Sequence, residues 1–198
     1  MEITALVLTG RWVQLEPLAE EHREGLRVAA NDDRIWEHMT AGACGSEFDR
    51  FFDDIFVQQR AGKRVPFAVR LLASGELIGS TSYLDPVPLH KRVEIGATWY
   101  RPDMWASVVN PECKLLLLAH AFDTLGFNRV QLVTDLRNTR SQAAIAKLGA
   151  TREGVLRSHM ITRGGRVRDS VLFAIVAMDW PQVKERLMTR LAAFETKE

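Results

Sequence analysis

The stretch from Glu94 to Leu118 constrains this chain more than any other. It opens on a β-like run, VEIGATWY, crosses MWASVV and enters NPECKLLLL. The last part reads as a marked helix start: Asn110 is a favoured N-cap, Pro111 suits the first turn, and Glu112 sits where the helix dipole favours negative charge. A strand feeding a tight loop into a capped helix leaves several N–H groups pointing outward together, and a phosphate can accept from more than one of them. The same pattern also serves as an ordinary β-to-α connection, so the rest of the chain must decide.

The 198 residues fit one domain, 1–198, with a sizeable core. No apolar run approaches the roughly 20 residues that span a membrane. MEITALVLTGRW lacks the basic start and long apolar stretch of a signal peptide, so the cytoplasm is the expected location, with no membrane partner. The two cysteines, Cys44 and Cys113, match no metal or redox spacing and read as free thiols. No metal is expected. A net charge of +1 gives no reason to expect nucleic acid. Its distribution is uneven: eleven Asp/Glu against four Lys/Arg from Glu16 to Asp54, and eight Lys/Arg against the single Glu153 from Arg137 to Arg168. That polarity suits a cationic ligand at one end and a polyanion at the other, or simply a solvated surface.

Periodicity and turn residues give the element order. Arg11 to Leu15 reads as a strand ending at Glu16-Pro17, and Ala19 to Ala30 as a helix. Ser46 and Asp49 resemble a capping box ahead of Phe48, Phe51, Phe52, Ile55 and Phe56, whose spacing predicts an amphipathic helix ending near Gly62. Strands follow at Pro66–Leu72, Leu77–Leu84 and Arg92–Tyr100, with Asp85-Pro86-Val87-Pro88 as a break. Pro111 to Leu125 is apolar around most of its circumference, which predicts a buried central helix closed by Gly126. Val130–Asp135 is a strand, Thr139–Leu148 a helix stopped by Gly149, and Val155–Ile161 and Arg168–Met178 flank a hairpin turn at Arg163-Gly164-Gly165-Arg166. A terminal helix begins at Asp179-Trp180-Pro181, with Asp179 as its expected cap. The result is a mixed α/β (α+β) domain in which VEIGATWY and RVQLVTD run parallel around the central helix.

EIGATWY, then WASVVNPECKLLLLAHAF, RVQLVTDLRNTRSQAAIAKLGATREGVLR and RDSVLFAIVAMDWPQVKERL, taken in that order, resemble the GNAT superfamily of N-acetyltransferases, in its RimJ/RimL-like branch. GRWVQLEPL resembles that branch's first strand. The resemblance implies a splayed central sheet flanked by helices, a V-shaped opening that takes acetyl-CoA as co-substrate, an amine acceptor, and by resemblance only a homodimer. The family's pyrophosphate loop, Gln/Arg-x-x-Gly-x-Gly/Ala, falls on Trp105-Ala106-Ser107-Val108-Val109-Asn110 and departs at all three signature positions. A sub-branch that this chain resembles commonly has Gly where Ala106 stands. Backbone N–H groups do the binding there, so missing glycines restrict φ and close approach without removing donors.

The resemblance also implies roles. Glu94 is the candidate general base, an acid among Val93, Ile95 and Ala97 whose burial would raise its pKa. Ser141 shares a helix face with Ile145 and Leu148; the branch often has Ser there, which makes it the candidate contact to the CoA sulfur, while Ile145 stands where many relatives have a Tyr acid. Asn138 matches a residue that binds the pantetheine arm and also suits a helix cap. Thr98 and Trp99 would offer backbone groups to that arm, and Arg137 and Arg140 would meet phosphates. Trp36, His38 and His159 are candidates for the acceptor wall. The expected activity is acetyl transfer from acetyl-CoA to a primary amine, a protein N-terminus or a small molecule. The alternative is a CoA-binding sensor or interaction module of the same fold that has lost catalysis.

Overall fold

The computed structural model describes residue 3 and residues 6–195. Eight strands form one sheet: β1 (Leu8–Thr9), β2 (Val13–Pro17), β3 (Arg64–Leu71), β4 (Leu77–Val87), β5 (Arg92–Tyr100), β6 (Arg129–Asp135), β7 (Thr151–Ile161) and β8 (Val167–Val176). Their spatial order is β1-β2-β3-β4-β5-β6-β8-β7, antiparallel throughout except where β5 meets β6. Five helices accompany them: α1 (Arg23–Ala29), α2 (Phe48–Arg60), α3 (Val109–Ala119), α4 (Thr139–Leu148) and α5 (Trp180–Glu195). The mixed α/β class and the splayed sheet are as the sequence predicts.

The alternation of the strands divides the apolar residues between two cores. One lies under α3 and α5 and holds Leu15, Phe67, Tyr83, Val93, Ile95, Leu117, Val130 and Leu187. The other packs Leu26 of α1 and Phe48, Phe52 and Ile55 of α2 against Ala68 and Trp99. Helix α2 thus presents the apolar face that its spacing predicts. The parallel pairing of β5 and β6 is short, joining Arg92 to Arg129, Val93 to Val130 and Glu94 to Gln131. Beyond those pairs β5 stays with β4 and β6 stays with β8, so the sheet opens between them.

Local readings fail where a distant partner or a neighbouring side chain takes over. Helix α3 begins at Val109, not after Asn110: Ser107 Oγ accepts the Val109 N–H at 3.2 Å and donates to Met104 O at 2.6 Å, doing the work assigned to Asn110. Asn110 Oδ1 instead accepts from Tyr100 Oη at 3.4 Å. Ser46 and Asp49 form no capping box, because Glu47 is the residue before α2 and Asp49 is held by Arg23 and Arg27. Asp85-Pro86 does not end β4, which continues to Val87 through an irregularity that puts Asp85 at φ 43°. The α3 helix closes in a π-helical turn, His120–Thr124, before Gly126 at φ 63°. The Asp179 carboxylate accepts from Val176 N–H at 3.5 Å.

Glu112 ties α3 to the start of the sheet. It is 4% exposed, and its carboxylate accepts the backbone N–H of Arg11 at 2.7 Å, Trp12 at 2.8 Å and Val13 at 2.7 Å. Gly10 makes room, since a Cβ there would collide with the same carboxylate. Glu112→Ala leaves three donors unpaired at a buried site, and we expect a stability loss of about 3 kcal/mol or more by urea unfolding. Glu112→Gln, which keeps one acceptor oxygen, should fall between.

Candidate active site

The space between the diverging strands is a cleft of about 240 Å³. Its walls are Ile95 to Tyr100 of β5, Leu132 to Asp135 of β6, and Asn138, Ser141, Ala144, Ile145 and Leu148 of α4, with Trp105, Ala106, Asn110 and Lys114 on the α3 side. Arg34, His38 and Met39 from the segment after α1, and Arg168 of β8, complete it.

A bulge shapes the β5 wall. Ser80 pairs with Trp99 and Ser82 with Gly96, so Ala97 and Thr98 face Thr81 alone. Ala97 sits at φ 46°, where a residue with a Cβ is strained. Thr98 Oγ1 is bonded to Thr81 Oγ1 at 2.8 Å and receives Lys114 Nζ at 2.9 Å. Trp99 lines the cleft and packs at a tilt against Trp36, ring centroids 5.3 Å apart.

At the mouth, the loop before α3 presents backbone donors. The Trp105 N–H is taken by Pro102 O and that of Val109 by Ser107 Oγ, while Glu112 N–H makes the first helical bond, to Val108 O. The N–H groups of Ala106, Ser107, Val108 and Asn110 make no hydrogen bond among the described residues. A helix start leaves its first N–H groups without intrahelical partners, and the loop before α3 adds to them. Ala106 adopts φ 59°, the left-handed conformation that favours glycine. Arg140 lies over the Trp105 ring, 3.5 Å from its centroid, and Arg34 is 5.9 Å from it. Arg137 lines a recess beside this mouth.

Asn138 caps α4, its Oδ1 accepting the Ser141 N–H at 2.9 Å, and both residues line the cleft. The Ser141 hydroxyl makes no hydrogen bond among the described residues, its own helix backbone included; only its N–H is engaged, by Asn138. Glu94 lies one step behind the wall: its carboxyl group abuts the Cα of Gly96, which lines the cleft, and Gln131 Nε2 donates to it at 3.0 Å. Burial raises its pKa, against the lowering effect of the Gln131 bond.

The acceptor candidates separate. His38 lines the cleft; its carbonyl accepts from Arg168 Nη1 at 3.4 Å, and its Nδ1 is buried without a partner. Trp36 does not reach the cleft, because it is buried in the second core with Nε1 bonded to Ala30 O at 3.0 Å. His159 is exposed on β7, away from the lining. The acidic stretch is largely neutralised on the surface: Glu16 pairs with Arg70, Asp49 with Arg27, Asp53 with Arg23, Asp32 with Arg34, and Asp33 and Glu47 with Arg163. The sequence reading missed Lys114, Arg168 and Asp135. A lysine interrupting PECKLLLL was the available signal for the first; the other two depend on strand pairing at long range.

These features fit a CoA thioester on the structure's own terms. Four free N–H groups stand at the mouth beside Arg34 and Arg140, and two buried polar atoms of lining residues, His38 Nδ1 and Trp99 Nε1, lack partners. Among the described residues no group of three or more His, Cys, Asp or Glu is placed to hold a metal, and no helix is long and apolar enough to cross a membrane.

A sheet that opens between two parallel strands, with unpaired N–H groups at its mouth, has the form of a site for an extended anionic ligand. The model of the acetyltransferase (GNAT) domain matches residues 13–151, and the chain belongs to that family. It is 31% identical over 101 residues to YoaA, an uncharacterized N-acetyltransferase of Bacillus subtilis (strain 168), the match covering 51% of this chain and 56% of YoaA. The chain spans just over half the length of the curated relatives it matches. A GCN5-related N-acetyltransferase from Brucella melitensis has a TM-score of 0.89 at 26% identity, over 96% of this chain and 87% of that one. RimJ of Mycobacterium smegmatis, solved with CoA-disulfide, shares the fold at a TM-score of 0.75 and 23% identity, over 90% and 88% of the two chains.

Two outcomes follow from the site's geometry. Ala106→Gly should raise stability by about 0.5–1 kcal/mol in urea unfolding, since relief of the left-handed strain exceeds the added freedom of the unfolded chain. For Glu94, a folded pKa above the unfolded one means that stability present below the unfolded value is lost as pH rises through the folded value. Glu94→Gln should therefore be more stable than the parent at pH 8, with the gap closing as pH falls toward about 4. A gap that widens on acidification would remove the case for a desolvated carboxylate.

Proposed function

We propose that the protein is an N-acetyltransferase that joins acetyl-CoA and a primary amine in one site and transfers the acetyl group directly. The observation that carries this reading is the cleft between β5 and β6, with its four unpaired N–H groups at one end and Glu94 behind the wall. When bound, acetyl-CoA supplies an acyl carbon activated as a thioester. The chain's own residues would do the rest. The N–H groups of Ala106, Ser107, Val108 and Asn110, with Arg34 and Arg140, would hold phosphates. Asn138 and the bulged edge at Thr98 and Trp99 would align the pantetheine arm, much as an added strand is aligned. Most of the acceleration would come from proximity in this closed geometry.

An ammonium must lose protons on its way to an amide. Glu94, desolvated and reached by way of Gly96, is our assignment for the base, through a water if the acceptor stops short of it. Ser141, whose hydroxyl is uncommitted, is our assignment for the contact that steadies the departing sulfur. His38 is retained as the acceptor-wall residue; Trp36 supports that wall only through Trp99, and the exposure of His159 favours no role in transfer. A protein N-terminus and a small amine both remain within this reading. The second reading, a CoA-binding module without turnover, is favoured by one observation: Ile145, not a Tyr, stands on the cleft-facing side of α4.

Thiol release from acetyl-CoA, measured against amines and N-terminal peptides, tests the first reading. Glu94→Gln should lower kcat about a hundredfold or more with acetyl-CoA affinity unchanged. Ser141→Ala should lower kcat with a smaller effect on binding. Tight CoA binding with no turnover on any acceptor would establish the module instead.

A further inference from the structure

Among the described residues, Lys114 is the only buried lysine, 5% exposed, and it lines the cleft. Its ammonium donates to one neutral oxygen, Thr98 Oγ1, at 2.9 Å, and no carboxylate of the described residues lies within ion-pair distance. The nearby acids are committed elsewhere. Glu112 faces the opposite way and accepts from Arg11, Trp12 and Val13; Asp135 is held by Arg166 and the Arg137 N–H; Glu94 is bonded to Gln131. An ammonium withdrawn from water without a counter-charge is costly to the fold. Burial pulls its pKa down to about 8, which still leaves it mostly charged at neutral pH.

Lys114 lies four residues beyond Asn110, on the same cleft-facing side of α3 and one turn deeper. Side chains on a helix lean toward its N-terminus, the end at which Ala106, Ser107, Val108 and Asn110 carry their free N–H groups, and Lys114 Nζ reaches Thr98 Oγ1 on the facing strand. We propose that Lys114 is a donor-binding residue held in reserve, its ammonium the buried counter-charge for the pyrophosphate of a CoA thioester seated at those N–H groups. The inference rests on the donor reading above. The backbone supplies directed contacts without net charge, and Lys114 supplies the charge from inside the protein, where it is screened little by salt. The cost of burying it falls on the free protein, and donor binding relieves it.

This separates binding from folding in a way that a structural lysine would not. Lys114→Met keeps an unbranched side chain only one atom shorter and removes the charge. In the full chain, its Tm without ligand should equal or exceed that of the parent, while calorimetry should show CoA bound about tenfold more weakly or worse. Dephospho-CoA, which keeps the pyrophosphate and lacks the 3′-phosphate, should lose the same factor. A variant that unfolds or melts well below the parent overturns the proposal, because the lysine would then be holding the fold. Unchanged CoA affinity overturns it too, and so does a loss confined to CoA, which would assign the charge to the 3′-phosphate. Failure of the parent itself to bind CoA would mark the donor reading as the one at fault.

Discussion

Everything in this molecule turns on how soon β5 and β6 stop pairing. Their parallel ladder covers Arg92 to Glu94 and Arg129 to Gln131 only. Neither strand is left without support, because β5 remains bonded to β4 up to Tyr100 and β6 to β8 from Arg129 to Asp135. Opening the sheet therefore exposes one inner edge on each strand while the outer ladders persist. An exposed edge of backbone groups is a liability in most proteins and a recognition surface in some. Here the edge on β5 carries the Ala97–Thr98 bulge, which re-aims the chain as it leaves the shared ladder. The same divergence sets the start of α3 on one side of the mouth and the start of α4 on the other, with Trp105 and Arg140 meeting across it.

Helix α3 couples that opening to the rest of the fold through three successive residues. Positions along a helix turn by about 100° each, so neighbours face different surroundings. Glu112 reaches the backbone where β2 begins, Cys113 enters the main core with its thiol pushed up to about 12 by burial, and Lys114 faces the cleft. The anchor and the site share one rigid element. A shift of α3 along its axis would disturb the three Glu112 bonds before it changed the mouth, and those bonds fix where the free N–H groups stand.

Much of this was legible in the sequence, for physical reasons that differ by residue. The α4 helix and its stop are local: Asn138 caps it, Gly149 takes φ 98°, and both the structure and the sequence reading place it at Thr139–Leu148. The parallel β5–α3–β6 unit followed from periodicity and connection rules alone. What escaped was whatever a competing partner decides. Asn110 has the right chemistry for a cap, yet the helix starts earlier, at Val109, whose N–H Ser107 accepts, and Tyr100 occupies Asn110. Asp49 was available for a capping box until Arg23 and Arg27 from another helix claimed it. The bonds of Glu112 span about a hundred residues of sequence and leave no local trace. Among the site residues, Asn138 and Ser141 could be read because a helix start constrains them, whereas Trp36 carries no mark in the sequence that tells a core indole from a cleft wall.

Charge gives the last constraint on what the cleft discriminates. Read along the sequence, the acidic first third suggested attraction for a cationic acceptor. In three dimensions those carboxylates are engaged by Arg23, Arg27, Arg34, Arg70 and Arg163, and the field they project is correspondingly weak. The cleft itself is lined by Lys114, Arg140 and Arg168, with Arg34 already paired to Asp32, against Asp135, which Arg166 holds. On the proposed reading such a wall would suit a polyanionic donor and give a cationic acceptor no long-range attraction. The acid nearest the closed end of the cleft is Glu94, which holds only the neutral Gln131 amide and whose burial keeps its proton affinity high. On the proposed reading, selection of the acceptor would rest on short-range fit beside Glu94, His38 and Trp99 rather than on electrostatic steering, and an amine that arrives uncharged would lose least on entering.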